Sequence, residues 1–362
     1  MGLALPYHGD VLRLVCSVSF KAGGRVRLND IFMAMSNDFY GVPSQLGSAI
    51  ATQQFLITAE VMPPKGADPS HMIKMAQRLR GRVHGVNITD GSRAVMRMSS
   101  LAAAVLLKQA GIEPICQMAC RDRNRIALQA DLMGAHALGI RNILALTGDP
   151  VKAGDYPKAR SVFDLESVRL LRTIGRLNQG LDLNEKKLPD GPTALFAGAA
   201  VDPQAQSWSG LQKRFERKLE AGAQFFQSQL ISDFTRLEKF MTQIAAPAQT
   251  PVLAGIFLLK SAKNAAFLNR NVPGVHIPED IINRLAAAKE PLQEGIAIAA
   301  EQIALARTLC QGVHIMAIRR EDLIPDFLDR AGVAPIGDPS ATSGAARTGG
   351  SHGRYPAAVR HS

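Results

Sequence analysis

Residues 58–66, TAEVMPPKG, decide the fold together with residues 143–150, ILALTGDP. In each stretch a run of strand-forming residues ends at a Pro or Gly break, and a carboxylate, Glu60 or Asp149, stands at or just before that break. An α/β barrel builds its active site in this way, because each strand delivers polar side chains to its carboxyl end and the chain then turns sharply into a loop. The two stretches therefore predict a barrel with Glu60 and Asp149 at one end.

Strands and helices alternate outward from these two stretches. Asp68 and Pro69 give the first helix an N-cap and a first-turn proline, and Asp233 caps a later helix. Ser161 and Asp164 form a capping box that predicts the start of another helix. The predicted strands are 55–62, 83–88, 112–117, 142–146, 193–197, 224–231, 252–257 and 313–318. The predicted helices are 68–79, 96–109, 124–138, 161–180, one ending near 220, the one that Asp233 caps, 262–268, 278–288, 292–310 and 322–331.

Three glycines recur at one kind of boundary, in AGI at 110–112, LGI at 138–140 and AGA at 221–223. Each stands where a helix should stop and a strand should begin, and glycine tolerates the left-handed conformation that a helix C-terminus needs. Repeated junctions of this kind indicate βα units and a parallel sheet, so we predict a (β/α)8 TIM barrel. A doubly wound open sheet is the alternative. It would want a glycine-rich phosphate loop after the first strand, and PPKG at 63–66 is not one.

The predicted barrel domain spans residues 44–332, and both ends differ from it in composition. Residues 333–362 are rich in Gly, Ser, Ala, Pro and Arg, so we expect a disordered C-terminal tail. Residues 1–43 have no place in the barrel and form an N-terminal extension. The extension is either a partly ordered arm or sequence upstream of the true start, which would then be Met33 or Met35.

The composition limits the classes of protein to consider. With 46% hydrophobic residues the chain of 362 residues can bury a core, but no window reaches the ~18 uninterrupted apolar residues of a membrane span. The start lacks a basic region, an apolar region and a cleavage site, so we expect a cytoplasmic protein without a membrane partner. Four cysteines are no disulfide framework at this length, and no His or Cys pair completes a metal site, so we expect free thiols and no metal.

The net charge of +11 raises the question of nucleic-acid binding. The basic residues are scattered, however, without a long Lys/Arg block, and few aromatic residues are available to stack on bases. We therefore expect a solvated basic surface and no nucleic-acid partner. Such a surface also attracts a polyanionic substrate or the phosphate of a cofactor.

Six short motifs follow one another along residues 45–332. They are AE at 59–60 with PP at 63–64, NITD at 87–90, CRDRN at 120–124, LALTGDP at 144–150, AGA at 221–223 followed by SQ at 228–229, and VPGV at 272–275 followed by IP at 277–278. In this order they resemble the methylenetetrahydrofolate reductase family. The resemblance implies a flavoprotein that passes a hydride from reduced flavin to methylenetetrahydrofolate and yields methyltetrahydrofolate. It also implies FAD, or FMN as the alternative, NADH or NADPH as the electron donor, a role in one-carbon metabolism and methionine biosynthesis, and a homo-oligomer.

By the same resemblance, Glu60 is the general acid. The five-membered ring of the folate must open to an iminium before it accepts a hydride, and the opening needs a proton donor beside the ring nitrogen. Asp149 tunes the reactive cation electrostatically, and Gln229 hydrogen-bonds the pterin through an amide that offers both a donor and an acceptor. The residues that the resemblance assigns to the flavin are Thr89, Gln117, Thr147, Gly148 and Asp149 at the ring system, with Arg217 and Lys218 on the phosphate side.

Each assignment has a plainer alternative. Glu60 forms an ion pair with Lys65 or marks a bend. Asp149 belongs to a good turn, Gln229 faces solvent at a strand end, and the basic pair at 217–218 lies on a solvated helix face.

The chain also departs from the family pattern. It has Gln117 where the family often has His, Thr147 where it often has Arg, and Ala262 where well-known members carry an aromatic residue; Gly198 and Met316 lie near positions of Tyr. These departures leave the folate site intact and the electron donor open. The alternative function is therefore a folate- or pterin-binding barrel subunit of a methyl-transfer complex, which takes electrons from a partner protein. A basic nucleic-acid or scaffold protein with a vestigial barrel is a third hypothesis, but it has no use for three polar groups aimed at one cavity.

Overall fold

The computed structural model describes residues 44–272 and 274–337, in which eight parallel strands form a closed barrel. Each strand pairs with the next in chain order, and the last pairs with the first through Leu56 and Gly312. The predicted TIM barrel is thus confirmed. The strands are β1 Leu56–Val61, β2 Gly85–Ile88, β3 Pro114–Ala119, β4 Asn142–Leu146, β5 Phe196–Val201, β6 Phe225–Leu230, β7 Val252–Phe257 and β8 Gly312–Met316.

Helices connect the strands and cover the outside of the barrel. A π-helical turn, Met241–Ala245, and a last turn, Ala246–Ala248, continue the helix after β6. Short 3-10 turns lie at Ser92–Ala94, Val151–Ala153 and Glu321–Leu323. The α-helices are α1 Gln45–Ala51, α2 Ser70–Gln77, α3 Ser100–Gln109, α4 Arg125–Ala137, α5 Ser167–Asn178, α6 Trp208–Glu220, α7 Phe234–Phe240, α8 Ala262–Asn271, α9 Glu279–Ala287, α10 Pro291–Leu309 and α11 Ile324–Arg330.

The outer and inner faces of the strands pack against different residues, as β1 illustrates. On β1, Ile57, Ala59 and Val61 join the main apolar core beneath the helices, whereas Leu56 belongs to a separate apolar cluster. Because side chains alternate along a strand, Leu56 shares the inner face with the polar residues at 58 and 60. The inner face is therefore apolar at the amino-terminal end of the barrel and polar towards the carboxyl end.

Helix α1 closes the amino-terminal end of the barrel. Leu46 and Ala49 of α1 lie in one buried cluster with Leu56, Ile115 and Phe225 from three strands. Ser44 caps the helix, because its hydroxyl accepts the N–H of residue 47 at 3.0 Å. This helix was not among those predicted from the sequence.

The predicted helix ends are confirmed at the three recurring glycines. Gly111, Gly139 and Gly222 have φ angles of 74°, 79° and 101°, in the left-handed region that favours glycine. The predicted cap of α7 is also confirmed, because the Asp233 carboxylate accepts the Arg236 N–H at 2.9 Å.

The predicted capping box at Ser161 and Asp164 is wrong. Helix α5 begins at Ser167, and the Asp164 carboxylate instead pairs with Arg125 at 2.7 Å. The Arg125 guanidinium and N–H both bind Asp164, so this carboxylate ties the start of α4 to the loop before α5. The fifth strand also lies later than predicted, at Phe196–Val201 instead of 193–197.

Residues 1–43, with Cys16, and residues 338–362 lie outside the described residues, as does Pro273 of the sixth motif. The first part of the predicted tail is described, and the Ile336 N–H donates to the Gly81 carbonyl at 2.7 Å. Within the described residues, no helix has both the length and the apolar character needed to cross a membrane.

Candidate active site

Glu60 lies at the carboxyl end of β1, where its side chain is 17% exposed. Its Oε2 faces two polar side chains from the inner faces of other strands. Gln117 on β3 donates from Nε2 at 3.4 Å, and the Nε2 of His314 on β8 lies at 3.9 Å. Glu60 is therefore surrounded by polar groups at the mouth of the barrel and keeps contact with solvent. Lys65, the ion-pair partner considered above, pairs instead with Asp155 at 2.9 Å.

Behind Glu60, a chain of hydrogen bonds runs into the barrel. His314 is buried, and its Nδ1 lies 3.0 Å from the Thr58 hydroxyl. Thr58 in turn accepts a hydrogen bond from Gln227 Nε2 on β6 at 2.9 Å. Thr58, His314 and Gln227 were not predicted as site residues from the sequence. The available signal was a polar residue at an inward position of an apolar strand, as in VHIM at 313–316.

Two buried amides cross the centre of the barrel. Asn87 on β2 donates to Gln227 Oε1 at 2.6 Å, and Gln227 Nε2 donates back to Asn87 Oδ1 at 3.0 Å. Both side chains are almost completely buried. An amide buried without hydrogen-bond partners costs about 2 kcal/mol or more of folding free energy. The reciprocal hydrogen bonds of this pair avoid that cost in the buried polar layer.

Thr89 follows β2 directly, and its side chain is buried. Among the described residues, its Oγ1 has no hydrogen-bond partner. Buried polar atoms without partners are rare, because they lose their hydration and gain nothing in return. A hydrogen-bonding atom of a ligand would satisfy this hydroxyl, so Thr89 fits the predicted role at a flavin ring system.

Gly148 turns the chain at the end of β4 with a φ angle of 94°, which an L side chain rarely adopts. A Cβ there would lie 3.1 Å from the Ala119 Cβ and 3.0 Å from the Arg121 Cβ. The glycine therefore brings bare backbone to the rim beside β3. Thr147, the residue before it, accepts the Ser167 N–H at 3.1 Å and so supports the start of α5.

Asp149 is exposed on the loop after β4 and accepts the Arg93 N–H at 2.7 Å. Asp155, later in the same loop, binds both Lys65 at 2.9 Å and the Met96 N–H at 2.9 Å. These two carboxylates fasten the loops after β1, β2 and β4 to one another. Asp149 thus has a structural partner in addition to its predicted role.

A cavity of about 450 Å³ opens beside these loops at the carboxyl end of β4. Thr147 and Gly148 are among the residues that line it. The remaining lining residues are Pro150, Phe163, Asp164, Leu165, Glu166 and Arg169. Two of the predicted flavin residues therefore line one cavity.

A second cavity, of about 160 Å³, lies at the carboxyl ends of β5 and β6. Gln229, Lys218 and Arg214 all line it. Lys218 donates to the Ala200 carbonyl at 2.7 Å, and its pKa is lowered by burial and by the neighbouring Arg214, against the opposing charge of Glu166. Asp202 also lines this cavity, so its two basic side chains share it with one carboxylate. The remaining excess of positive charge favours a bound anion, which would stabilise the protonated lysine.

Arg217 lies apart from Lys218. Its side chain is 61% exposed and approaches Glu166 at 3.7 Å. Arg214 and Lys218, four residues apart on α6, both line the second cavity, whereas Arg217 is not among its lining residues. The structure therefore pairs Lys218 with Arg214 at the cavity, not with Arg217.

The second and third motifs contribute a buried ion-pair network. Asp90 accepts the Ala119 N–H at 2.8 Å and pairs with Arg123 at 2.7 Å, and Arg123 also reaches Asp131 at 2.8 Å. These contacts join the ends of β2 and β3 to α4, and so fix the rim on which Thr89 stands.

The described cysteines are free and buried, at Cys116, Cys120 and Cys310. Burial raises the pKa of each thiol to about 12, so none is a ready nucleophile. Among the described residues, no group of three His, Cys, Asp or Glu side chains is arranged to hold a metal ion.

Fold and site together define a (β/α)8 barrel with two cavities at the carboxyl ends of its strands, where barrel enzymes have their active sites. The chain belongs to the methylenetetrahydrofolate reductase family, whose model matches residues 45–332. The family identification made from the motifs is thus confirmed.

Two named relatives are eukaryotic. The chain is 24% identical over 299 residues to methylenetetrahydrofolate reductase 1 of Schizosaccharomyces pombe, covering 77% of this chain and 47% of the relative. It is 25% identical over 245 residues to a probable methylenetetrahydrofolate reductase (NADPH) of Caenorhabditis elegans, covering 65% of this chain and 34% of the relative. The match thus spans half the length of these relatives or less.

Among solved structures, a protein from Clostridium thermocellum that binds two copies of 5-methyl-5,6,7,8-tetrahydrofolic acid has a similar fold. The TM-score is 0.55 at 13% identity, over 80% of this chain and 100% of that chain. At this identity the likeness concerns the fold alone.

Proposed function

We propose that the protein is a flavin-dependent reductase that converts methylenetetrahydrofolate to methyltetrahydrofolate, with Glu60 as the general acid. The observation that carries the proposal is the position of Glu60 at the mouth of the barrel, between Gln117 and His314. Membership of the family supports the reaction class. The names of the two eukaryotic relatives and the folate bound by the C. thermocellum protein agree with this substrate.

In this proposal, Glu60 holds the proton that the folate needs. Its carboxyl group gives that proton to a ring nitrogen as the five-membered ring opens, and the resulting iminium carbon becomes the hydride acceptor. Gln117 and His314 then face a carboxylate, and the N–H of Gln117 stabilises the negative charge. Gln229, at the second cavity, would bind the pterin edge through its amide.

FAD, or FMN, would supply the hydride when bound. Thr89, whose hydroxyl has no partner in the described part of the chain, would contact the ring system together with Gln117, Thr147 and Gly148. The exposed Asp149 carboxylate would stabilise positive charge on the folate beside it.

On the phosphate side, we propose Lys218 together with Arg214, because these two basic side chains line one cavity. Arg217, the other residue predicted for this role, would contribute only through its charge at the surface, where it now faces Glu166.

The electron donor separates the two candidate functions. NADH or NADPH is the donor in the leading proposal, and the name of the C. elegans relative includes NADPH. The alternative is a folate-binding barrel subunit that receives electrons from a partner protein. It is favoured by Thr147 and Ala262, which stand where the family pattern has Arg and an aromatic residue.

An anaerobic titration tests the proposed function. The purified protein should be yellow, and its visible flavin absorbance should bleach on addition of NADH or NADPH. Bleaching by dithionite but by neither nicotinamide would support the alternative. A colourless protein that takes up neither FAD nor FMN would contradict both. A homo-oligomer is part of the proposal and is tested by light scattering on the same sample.

A further inference from the structure

The amide pair in the barrel centre has no role in the chemistry proposed so far. Asn87 and Gln227 lie on β2 and β6, which are opposite one another because three strands separate them on either side of the closed barrel. Apolar residues fill the layer below the pair, including Leu56, Ile115 and Phe225. Apolar residues of similar volume at these positions would often give equal or greater stability, so stability alone does not explain the polar layer.

The hydrogen bonds of this layer have a direction. One N–H of Gln227 Nε2 is donated to Asn87 Oδ1 at 3.0 Å and the other to Thr58 Oγ1 at 2.9 Å. A threonine hydroxyl has a single proton to give. Because Thr58 accepts from Gln227, that proton points away from Gln227, and the His314 Nδ1 at 3.0 Å is its nearest acceptor. The Val313 carbonyl, at 3.5 Å, is the more distant choice.

The direction fixes the tautomer of His314. When Nδ1 accepts the Thr58 proton, the neutral imidazole carries its own proton on Nε2. That nitrogen is the one that faces the Glu60 Oε2, at 3.9 Å. The ring proton then lies on the nitrogen nearer to the carboxyl group, at a distance too long for a direct hydrogen bond. In the other tautomer a lone pair would face it, and that arrangement repels a carboxylate.

We propose that Gln227, held by Asn87, is a positioning residue for Glu60: it sets the direction of the Thr58–His314 hydrogen-bond chain and so places the His314 ring proton towards Glu60. Gln227 does this without touching the carboxyl group. The effect falls on the ionised form of Glu60, which exists after its proton has been given away. This inference rests on the proposed function for its catalytic consequence, but not for the tautomer.

Two nearly isosteric substitutions separate direction from packing. Gln227→Glu keeps the side-chain volume and the hydrogen bond that Asn87 donates to residue 227. A carboxyl group has at most one proton, and once that proton is bonded to Asn87 none is left to donate to Thr58. The Thr58 hydroxyl must then donate to residue 227, and His314 must carry its proton on Nδ1. Asn87→Asp is the matched control. It places a carboxyl group on the other member of the pair and leaves the Gln227 amide, which donates to Thr58, unchanged.

The test is nitrogen-15 NMR of the full-length flavin-loaded protein labelled at histidine, with the His314 signals assigned by comparison with His314→Gln. The wild type should show the proton on Nε2, Gln227→Glu should show it on Nδ1, and Asn87→Asp should keep the wild-type tautomer. A wild-type His314 with its proton on Nδ1 would overturn the inference without any variant. So would a Gln227→Glu protein that keeps the Nε2 tautomer.

The catalytic consequence is measured on the same variant. Gln227→Glu should lower the rate of folate reduction about tenfold, less than the loss of a general acid, while KM for folate and flavin content stay near the wild-type values. An unaltered rate with the reversed tautomer would overturn the positioning role. If the wild type itself reduces no folate, the proposed function fails, and the tautomer measurement still decides the structural part.

Discussion

At the scale of single residues, the buried hydroxyl of Thr89 offers a direct test of flavin binding. In Thr89→Val a methyl group replaces, at almost constant volume, a hydroxyl that has no partner among residues 44–272 and 274–337. The apoprotein should be equally stable or about 1 kcal/mol more stable, because a buried polar atom without a partner is removed. The flavin dissociation constant should rise roughly two- to tenfold, the worth of one hydrogen bond.

Thr173→Val is the matched control, because the Thr173 hydroxyl already donates a hydrogen bond to the Arg169 carbonyl within α5 at 2.9 Å. Fluorescence titration of apoprotein with FAD and urea unfolding measure the two quantities. If Thr89→Val binds FAD as tightly as the wild type, Thr89 does not contact the flavin.

His84 makes stability depend on pH. It is buried before β2, accepts the Ile57 N–H at Nδ1 over 3.0 Å, and lies 3.2 Å from Gln54 through Nε2. Burial lowers its pKa from 6.5 to about 4. Between these values the unfolded chain binds a proton that the folded protein does not, so stability rises with pH across this window and is lost as pH falls.

The loss should approach roughly 3 kcal/mol, at about 1.4 kcal/mol for each pKa unit. His84→Asn keeps an acceptor near Nδ1 but does not titrate. Its free energy of unfolding, from urea titrations between pH 4 and 7, should fall less steeply than that of the wild type. Parallel curves for the two proteins would contradict the role given to His84.

The position of Glu60 could be predicted from its own stretch of sequence, because a carboxylate before Pro63 marks the end of a strand. The groups around it could not. His314 is distant in sequence, and its contact with Glu60 exists only because β8 closes against β1. Gln227 and Asn87 meet across the barrel, and no local pattern records which strands face one another.

At the scale of elements, helix α10 packs against the loop after β7 through a glycine. A Cβ on Gly295 would lie 1.8 Å from the Leu259 carbonyl oxygen, so the backbone must move to accept one. Gly134, in α4, has no such neighbour within 4 Å. Gly295→Ala should therefore destabilise the protein by about 1–3 kcal/mol, as overpacking does. Gly134→Ala should stabilise it by about 0.5–1 kcal/mol, since alanine is the better helix former.

Urea unfolding midpoints of the two variants test this opposition. The same substitution in two helices should shift the midpoint in opposite directions. A Gly295→Ala midpoint at or above that of the wild type would mean that α10 does not approach the β7 loop as described.

Helices and strands were predicted correctly where the local sequence determines their bounds, and were misplaced or missed where contacts with distant residues determine them. Strands β4 and β7 have the predicted bounds. Strand β5 runs through Gly198, a residue with little strand propensity, and so continues past the predicted end at residue 197. The glycine is needed at this position, because a Cβ would lie 2.2 Å from the Phe225 ring. Helix α1, QLGSAIA, has a weak local signal and forms where Leu46 and Ala49 can close the barrel.

At the scale of the whole molecule, the barrel is layered along its axis. An apolar plug with α1 closes the amino-terminal end, a layer of buried amides crosses the centre, and Glu60 lies between this layer and solvent. The alternation of strands and helices made the barrel predictable from sequence. The layering was not predictable, because it arises only when eight inner faces meet.

The central claim is that Glu60 protonates a folate whose reduction consumes flavin-bound electrons. The most direct measurement is a stopped-flow experiment in which the protein, reduced beforehand under anaerobic conditions, is mixed with methylenetetrahydrofolate and the return of oxidised flavin absorbance is followed. The wild type should be reoxidised with formation of methyltetrahydrofolate, and Glu60→Gln, with the same flavin content, should be reoxidised about a hundredfold more slowly or worse. Reoxidation of Glu60→Gln at the wild-type rate, or no reoxidation of the wild type by this folate, would contradict the account.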